Sequence, residues 1–177
     1  MSGKAKNRIV LITGDGKGKT TAALGMVLRA LGHGQRVCLV QFVKARADTG
    51  EVRALRWLEG VETHVCGAGF VFSGAGAADA RHRRAAEEGL ALAAEKLRDT
   101  AYGMVVLDEV CGAVALGLVG VRAVLEAVQG AAPGKVIVLT GRDAVPELIA
   151  AADTVSRVVC VKHGMCAGWP AQPGVEW

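Results

Sequence analysis

Aromatic residues are scarce in this chain of 177 residues, which has three Phe, three Trp and one Tyr, together with only four Pro. Hydrophobic residues nevertheless make up 51% of the sequence, so the core must be built from Ala, Val and Leu. Charged residues account for 21%, and this combination excludes an intrinsically disordered protein. A chain of this length fits a single domain, which we place at residues 1–177.

A strong excess of one charge is also missing. Lys and Arg number 21 and Asp and Glu number 17, which gives a net charge of +4. This charge suits an anionic ligand but falls short of the dense basic stripe of a dedicated nucleic-acid binder, so no nucleic-acid partner is expected. The basic cluster at residues 81–84 (RHRR) is interpreted as a solvated helix face, with an anion or partner contact as the alternative.

Long apolar runs and paired cysteine motifs are absent as well. The uncharged apolar stretch at 110–121 is well below the roughly 18 residues of a membrane span. The start of the chain, MSGKAKNR, has no apolar signal core. Five scattered cysteines without a CxxC pair argue against a disulfide framework or a zinc site. We therefore expect a reduced, cytoplasmic protein without a membrane segment, in which Cys38 and Cys160 behave as small hydrophobes within apolar runs.

Short apolar runs alternate with longer helical patterns along the chain. Nearly continuous apolar runs are typical of strands buried on both faces of a parallel sheet, and the alternation predicts an α/β domain with helices on both faces. The predicted strands are 8–13, 36–42, 61–66, 104–108, 135–140 and 154–161. The predicted helices are 19–31, 50–59, 77–98, 121–129 and 144–151. The Gly- and Ala-rich piece 67–78 has no clear period, and a long loop of this kind tends to be functional or mobile.

The strongest motif is IVLITGDGKGKTTAALG, an apolar strand followed by a glycine-rich turn and a helix. Glycines permit positive φ and bring backbone N–H groups onto phosphate oxygens, and the helix N-terminus adds partial positive charge. Lys19 is expected to neutralise outer phosphates, and the Thr20 hydroxyl is placed to ligate a divalent metal. The general pattern GxxxxGK[ST] has Gly where this chain has Thr13, and Gly14 comes one place late. The predicted nucleotide-binding residues are Gly14, Asp15, Gly16, Lys17, Gly18, Lys19, Thr20 and Thr21.

An apolar strand that ends in an acid is the second half expected of such a site. The segment MVVLDE places Asp108 and Glu109 at the carboxyl end of a strand, where open α/β sheets bind ligands. A carboxylate beside Thr20 can hold Mg²⁺ directly or through water, although an acidic pair taken alone is more often a helix cap. Glu109 fits either a hydrolytic base or a metal ligand, so these residues by themselves leave the reaction open.

Further segments follow the glycine-rich loop in a definite order. They are VQFVK, GAGFVF, VVLDEV and LTGR, and the end of the chain adds VKH and AQPGVEW. In this order the set resembles the ATP:corrinoid adenosyltransferases of bacterial cobalamin synthesis and salvage, and the resemblance covers the chain from Arg8 onward. The Thr-Gly opening of the loop is similar to that family's form. The resemblance implies a P-loop NTPase-like (RecA-like) fold with a mostly parallel sheet.

The same resemblance implies a reaction in which the Co(I) of a reduced corrinoid attacks C5′ of ATP. Triphosphate leaves and a Co–C bond forms, with ATP as co-substrate and Mg²⁺ or Mn²⁺ as the cation. Catalytic roles are then expected for Lys19, Thr20 and Glu109, and metal contacts for Thr20, Asp108 and Glu109. An external one-electron donor of the flavoprotein type would supply Co(I), and the expected oligomer is a homodimer.

Two aromatic residues carry the predicted corrinoid contact. Phe70 and Phe72 match the family's Gly-x-Gly-Phe-x-Trp loop, which packs against the lower face of the corrinoid. Phe72 replaces Trp, which leaves a smaller apolar wedge without an indole N–H, and core packing is the alternative for both residues. Lys44, Arg142 and His163 are the other corrinoid-binding candidates, with an ion pair as the alternative for Arg142 and a cap for His163.

Two other functions stay open at the level of the residues. One is a P-loop ATPase or small-molecule kinase in which Glu109 activates water. The other is a non-catalytic nucleotide-binding or nucleic-acid-associated module that uses residues 81–84.

Cys111 stands where several family members carry Asn, and with no His partner evident it is expected to be a buried, inert thiol.

Overall fold

Six parallel strands form one sheet in the computed structural model, which describes residues 5–43, 48–67, 69 and 80–176. The strands are β1 (Arg8–Thr13), β2 (Val37–Gln41), β3 (Val61–Val65), β4 (Met104–Asp108), β5 (Val136–Gly141) and β6 (Thr154–Arg157). The helices are α1 (Lys19–Gly32), α2 (Gly50–Leu55), α3 (Ala80–Arg98), α4 (Val110–Ala115), α5 (Val121–Gln129) and α6 (Pro146–Ala151). A short 3₁₀ helix, Gly164–Ala167, follows β6.

The spatial order of the strands is β3-β2-β4-β5-β1-β6. One strand, β5, thus separates β1, which leads into the glycine-rich loop, from β4, which ends in Asp108. All described pairings are parallel. The predicted α/β, P-loop NTPase-like fold of the RecA-like kind is therefore confirmed.

Both faces of the sheet are covered by helices, because the inner strands are apolar on each side. In β2, Val37 and Leu39 pack with α1 residues such as Val27, whereas Val40 joins the opposite cluster with Leu90 of α3. Helices α4 and α5 contribute to the opposite cluster, which also contains Leu148 of α6. The two apolar layers hold the carboxyl ends of the strands in fixed register beneath the loops.

The sequence predicted most element positions but not all. Helix α4 lies within the apolar stretch at 110–121, for which the sequence pattern predicts no helix. Helix α2 ends at Leu55 instead of residue 59, and α6 begins at Pro146, which fits the first turn of a helix. The part of the predicted third helix at 77–79 lies outside the described residues.

The prediction for the last strand was wrong in length and in burial. Strand β6 ends at Arg157 and is exposed along all four of its residues, because it lies at the sheet edge. The chain then turns onto the glycine-rich loop, where the Val158 N–H donates to the Thr13 carbonyl oxygen at 2.7 Å. Cys160 is consequently exposed, not part of the apolar core, whereas Cys38 is fully buried as expected.

In the part of the chain that the structure describes, no helix combines the length and apolar character needed to cross a bilayer.

Candidate active site

The glycine-rich loop between β1 and α1 depends on two close backbone approaches. A Cβ on Gly14 would lie 2.3 Å from the Val158 carbonyl oxygen, and φ at Gly14 is +105°. A Cβ on Gly16 would lie 2.7 Å from the backbone of Val159. Glycine is thus required at position 14 because the segment after β6 passes directly over the loop. This contact gives a structural reason for Gly14, which stands one place later than the first glycine of the general GxxxxGK[ST] pattern.

Helix α1 begins with its backbone amides directed at this loop. Gly18, with φ +119°, is the N-cap residue and provides no side-chain cap. The first hydrogen bond of the helix is from Ala22 N–H to the Gly18 carbonyl oxygen at 2.8 Å. The amides of Lys19, Thr20 and Thr21 precede that bond and therefore have no carbonyl partner within the helix. Together with the positive end of the helix dipole they form a site suited to an anion.

Lys19 adds a cation at the same place. It is buried, with 6% of its surface exposed, and its Nζ donates to the Gly16 carbonyl oxygen at 2.8 Å. Burial lowers the pKa of Lys19 from its usual value of 10.5, and the negative charge of Glu109 opposes this shift. An ammonium group held by a single neutral carbonyl in a desolvated setting is well placed to take an anionic partner.

Asp108 lies at the centre of a buried hydrogen-bond network under the first turn of α1. Its Oδ1 accepts from the Thr20 hydroxyl at 2.8 Å and from the Thr140 hydroxyl at 2.7 Å. Its Oδ2 accepts from Gln41 Nε2 at 3.0 Å. The carboxylate is fully buried, so these donors replace the water that would otherwise stabilise its charge.

Glu109 follows at a strained turn between β4 and α4. Its φ of 63° is in the left-handed region, which is uncommon for a residue other than glycine. The Glu109 N–H donates to the Thr140 hydroxyl oxygen at 2.9 Å, so Thr140 links the backbone of this turn to the Asp108 carboxylate. The turn brings Glu109 to the wall of the cavity described next. The acidic pair is therefore split, with one residue beneath the site and the other facing it.

A cavity of about 850 Å³ opens above this network. The loop and α1 line one side, and Glu109, α4 residues and the ends of later strands line the other. The lining residues are Gly16, Lys17, Gly18, Lys19, Thr20, Thr21, Leu24, Val43, Gly50, Glu51, Glu109, Gly112, Ala115, Leu116, Arg142, Asp143, His163, Gly174, Val175 and Glu176. The cavity thus combines an anion-binding end with apolar walls and a few converging charged groups, as small-molecule sites do.

The structure brings most of the predicted site residues together. Residues 16–21, Glu109, Arg142 and His163 line the cavity, while Asp108 lies beneath it. Arg142 is exposed just after β5, and His163 is half-buried. His163 Nδ1 accepts from the Met165 N–H at 3.2 Å, so this residue caps the 3₁₀ helix as well as lining the cavity. Gly14 and Asp15 belong to the loop but not to the cavity wall. The predicted corrinoid residues Lys44, Phe70 and Phe72 lie outside the described residues.

Sequence reasoning assigned no role to the residues that hold Asp108 or to the tail that lines the cavity. Gln41, which the sequence places at a strand end, and Thr140 each lie in a strand that pairs directly with the strand of Asp108, and strand order is the signal that points to them. The tail residues 174–176 also line the cavity, and the AQPGVEW segment to which they belong had been quoted for the resemblance without a role at the site. Cys111 was assessed correctly, because it is buried and desolvation raises the pKa of its thiol to about 12.

The oxygen donors of the site fit a hard divalent cation. Among the described residues no group of three or more His, Cys, Asp or Glu side chains is placed to hold a metal. The Thr20 hydroxyl lies 2.8 Å from Asp108 Oδ1, at the anion-binding end of the cavity. One hydroxyl and one or two carboxylates are the protein ligands typical of Mg²⁺ that is held mainly by substrate phosphates and water.

Comparison with known proteins identifies the relatives of this chain. The family model described as ATP:corrinoid adenosyltransferase BtuR/CobO/CobP matches residues 5–177. A corrinoid adenosyltransferase of Pseudomonas aeruginosa is 42% identical over 172 residues, which cover 96% of this chain and 83% of that protein. The corrinoid adenosyltransferase of Escherichia coli K12 is 37% identical over 173 residues, or 96% and 85% of the two chains. A protein of Salmonella typhimurium named corrinoid adenosyltransferase CobA is 37% identical over 174 residues, with the same coverage of 96% and 85%. The chain belongs to the ATP:corrinoid adenosyltransferase family.

Proposed function

We propose that this enzyme transfers the 5′-deoxyadenosyl group of ATP to the Co(I) of a reduced corrinoid, in adenosylcobalamin synthesis or salvage. The electron pair of Co(I) forms the new bond to C5′ while the C5′–O bond breaks, and its pair leaves with the triphosphate. The observation that carries the proposal is the family match over residues 5–177 together with the anion-binding cavity at the carboxyl end of the sheet. The alternatives of an ATPase or kinase and of a binding module are not favoured, because the matched family acts as an adenosyltransferase.

The leaving triphosphate sets the first chemical requirement, since its charge must be neutralised as the C5′–O bond breaks. The amides at the start of α1 and the Lys19 ammonium are the proposed donors. Lys19 must exchange the Gly16 carbonyl oxygen, now 2.8 Å from Nζ, for phosphate oxygens. This exchange replaces a neutral acceptor with a charged one, which makes a stronger hydrogen bond in a site of low polarity.

A divalent cation, Mg²⁺ or Mn²⁺, would supply further charge neutralisation of the triphosphate when bound. The proposed holding residues are Thr20, Asp108 and Glu109. Support comes from the Thr20–Asp108 hydrogen bond at 2.8 Å and from the position of Glu109 on the cavity wall. In this proposal Glu109 acts on the triphosphate only through the cation that it would hold, and it does not activate water.

The corrinoid itself is proposed to lie against Arg142 and His163, with Phe70, Phe72 and Lys44 as further contacts. Arg142 and His163 support this by their place on the cavity wall, where Arg142 is exposed and able to meet polar groups of a large ligand. Phe70 and Phe72 would exclude water and axial donors from the lower face of the metal. The enzyme is further proposed to be a cytoplasmic homodimer that receives electrons from a flavoprotein-type donor.

An anaerobic assay tests the proposal. Protein, ATP and Mg²⁺ are mixed with chemically reduced cob(I)alamin, and the visible spectrum and phosphate products are recorded. A light-sensitive Co–C product with stoichiometric triphosphate is expected, and Lys19→Met should lower kcat/KM by roughly 100-fold or more. Lys6→Met removes the same charge at an exposed residue that pairs with Asp153 at 3.0 Å, so it is the matched control and should retain full activity. Phosphate release without a change in the corrinoid spectrum would refute the proposal.

A further inference from the structure

We propose that Gln41 is a positioning residue, whose side-chain amide holds the Asp108 carboxylate in the orientation that the divalent cation requires. The inference rests on the proposed function, because it assumes that Thr20 and Asp108 hold that cation. Gln41 does not line the cavity and is fully buried. It would therefore act through Asp108 and not on the substrate.

Strand register places the two side chains side by side. Gln41 is the register partner of Asp108 in the β2–β4 pair. Side chains two residues apart share one face of a strand, and Leu39 of β2 and Val106 of β4 both pack in the cluster with α1. Gln41 and Asp108 thus emerge together under the first turn of α1, with 3.0 Å between Gln41 Nε2 and Asp108 Oδ2.

The partner fixes which atom of the Gln41 amide faces Asp108. An ionised carboxylate only accepts hydrogen bonds, so the amide must present Nε2 and turn Oε1 away. Gln41 Oε1 is buried and has no hydrogen-bond partner among the described residues. A buried acceptor without a partner is unfavourable for folding, and an apolar side chain of similar size would not introduce one. The contribution of the Gln41 amide is therefore its hydrogen bond to Asp108.

That contact determines how the carboxylate is turned. Asp108 Oδ1 is shared by the Thr20 and Thr140 hydroxyls, and Gln41 engages the other oxygen. The terminal torsion of an Asp side chain is broad, so donors on both oxygens restrict the carboxylate to one orientation. Removal of the Gln41 amide takes away its donor on Oδ2 and loosens that restriction. Loss of a partner that orients a metal-binding carboxylate typically weakens metal binding by about 10–100-fold.

The test measures cation binding without the corrinoid reaction. Mn²⁺ is titrated into the protein–ATP complex, and bound ion is followed by electron paramagnetic resonance. Gln41→Met, which keeps side-chain length without the amide, should weaken Mn²⁺ binding by about tenfold or more. Binding of ATP in EDTA should stay at the wild-type level. Val40→Ala, a fully buried neighbour on the opposite face of β2, is the control for general loss of packing and should bind Mn²⁺ normally.

A second variant guards against a folding defect. Gln41→Asn keeps a buried amide but draws it back from Asp108 by one methylene, so it should weaken Mn²⁺ binding as well. Mn²⁺ affinities of both variants within about twofold of wild type would overturn the inference while leaving adenosyl transfer to its own assay. A wild-type protein that takes up no Mn²⁺ in the presence of ATP would overturn the cation site and this inference together. Equal losses in the Gln41 variants and in Val40→Ala would also overturn it.

Discussion

Removal of the Thr140 hydroxyl group, in Thr140→Val, should destabilise the site, although Thr140 is not among the site residues that the sequence predicts. Val has nearly the same shape as Thr, so packing around this fully buried position is retained. The change deletes the donor that lies 2.7 Å from Asp108 Oδ1. It also deletes the oxygen that accepts the Glu109 N–H at 2.9 Å. Two hydrogen bonds therefore depend on one atom.

The expected loss follows from the kinds of group involved. A hydrogen bond to a charged group contributes about 1.5–3 kcal/mol, and a buried amide left without its acceptor costs about 1–3 kcal/mol. Because Val gains some apolar burial and the two effects overlap, the predicted loss in the free energy of unfolding is about 3 kcal/mol. For a domain of this size that corresponds to a fall in Tm of about 6–12 °C.

Thermal and denaturant unfolding, followed by circular dichroism, measure this loss directly. Thr140→Ser keeps the hydroxyl and should lose only about 1 kcal/mol for the missing methyl group. Thr154→Val, at an exposed residue of β6, should stay within about 0.5 kcal/mol of wild type. A Thr140→Val protein as stable as Thr140→Ser would refute the argument that this hydroxyl joins Asp108 to the turn at Glu109.

Two further predictions concern the glycine-rich loop and Glu62, which lies in β3 at the edge of the sheet opposite β6. Gly14→Ala should cost about 2 kcal/mol or more and abolish stabilisation by ATP, because the new Cβ would meet the Val158 carbonyl oxygen at 2.3 Å with φ at +105°. Gly25→Ala, in open space on α1, should instead stabilise the protein by about 0.5–1 kcal/mol, and chemical denaturation distinguishes the two. A hydrogen bond from Lys96 lowers the pKa of Glu62 from 4.5 to about 2, so the carboxylate stabilises the fold above pH 4.5 and this contribution is lost as the pH falls towards 2. Glu62→Gln should therefore reduce the dependence of stability on pH across that window, and an unchanged slope would contradict the assignment.

The sequence was sufficient to predict the fold, and it indicated where the phosphate site is proposed. Apolar runs mark the buried strands, and the glycine-rich loop with Lys19 indicates the edge of the sheet at which an anion is proposed to bind. Glycine is needed at positions 14 and 16 because backbone atoms of another segment approach closely there. The motif indicates these glycines but not the segment after β6 that contacts them. These features depend on local pattern, and for that reason they can be predicted from one sequence.

The features of the site that the sequence could not predict depend on strand order. Gln41 and Thr140 become partners of Asp108 only once β2 and β5 flank β4. Likewise, the tail reaches the cavity because the chain after β6 turns back over the loop, where Val158 and Thr13 are hydrogen-bonded. The same turn explains why Cys160, in an apolar run, is exposed. Long-range placement of this kind has no signature in composition or spacing.

The most direct measurement of adenosyl transfer uses ATP labelled in two places, with ¹³C at C5′ and ³²P in the γ-phosphate. The labelled ATP is incubated anaerobically with the enzyme, Mg²⁺ and cob(I)alamin, and the fate of both labels is followed. We expect the ¹³C label to become bound to cobalt, while the ³²P label leaves in intact triphosphate in equal amount. Recovery of ³²P as free phosphate, with ¹³C still in ADP or AMP and none bound to cobalt, would contradict adenosyl transfer.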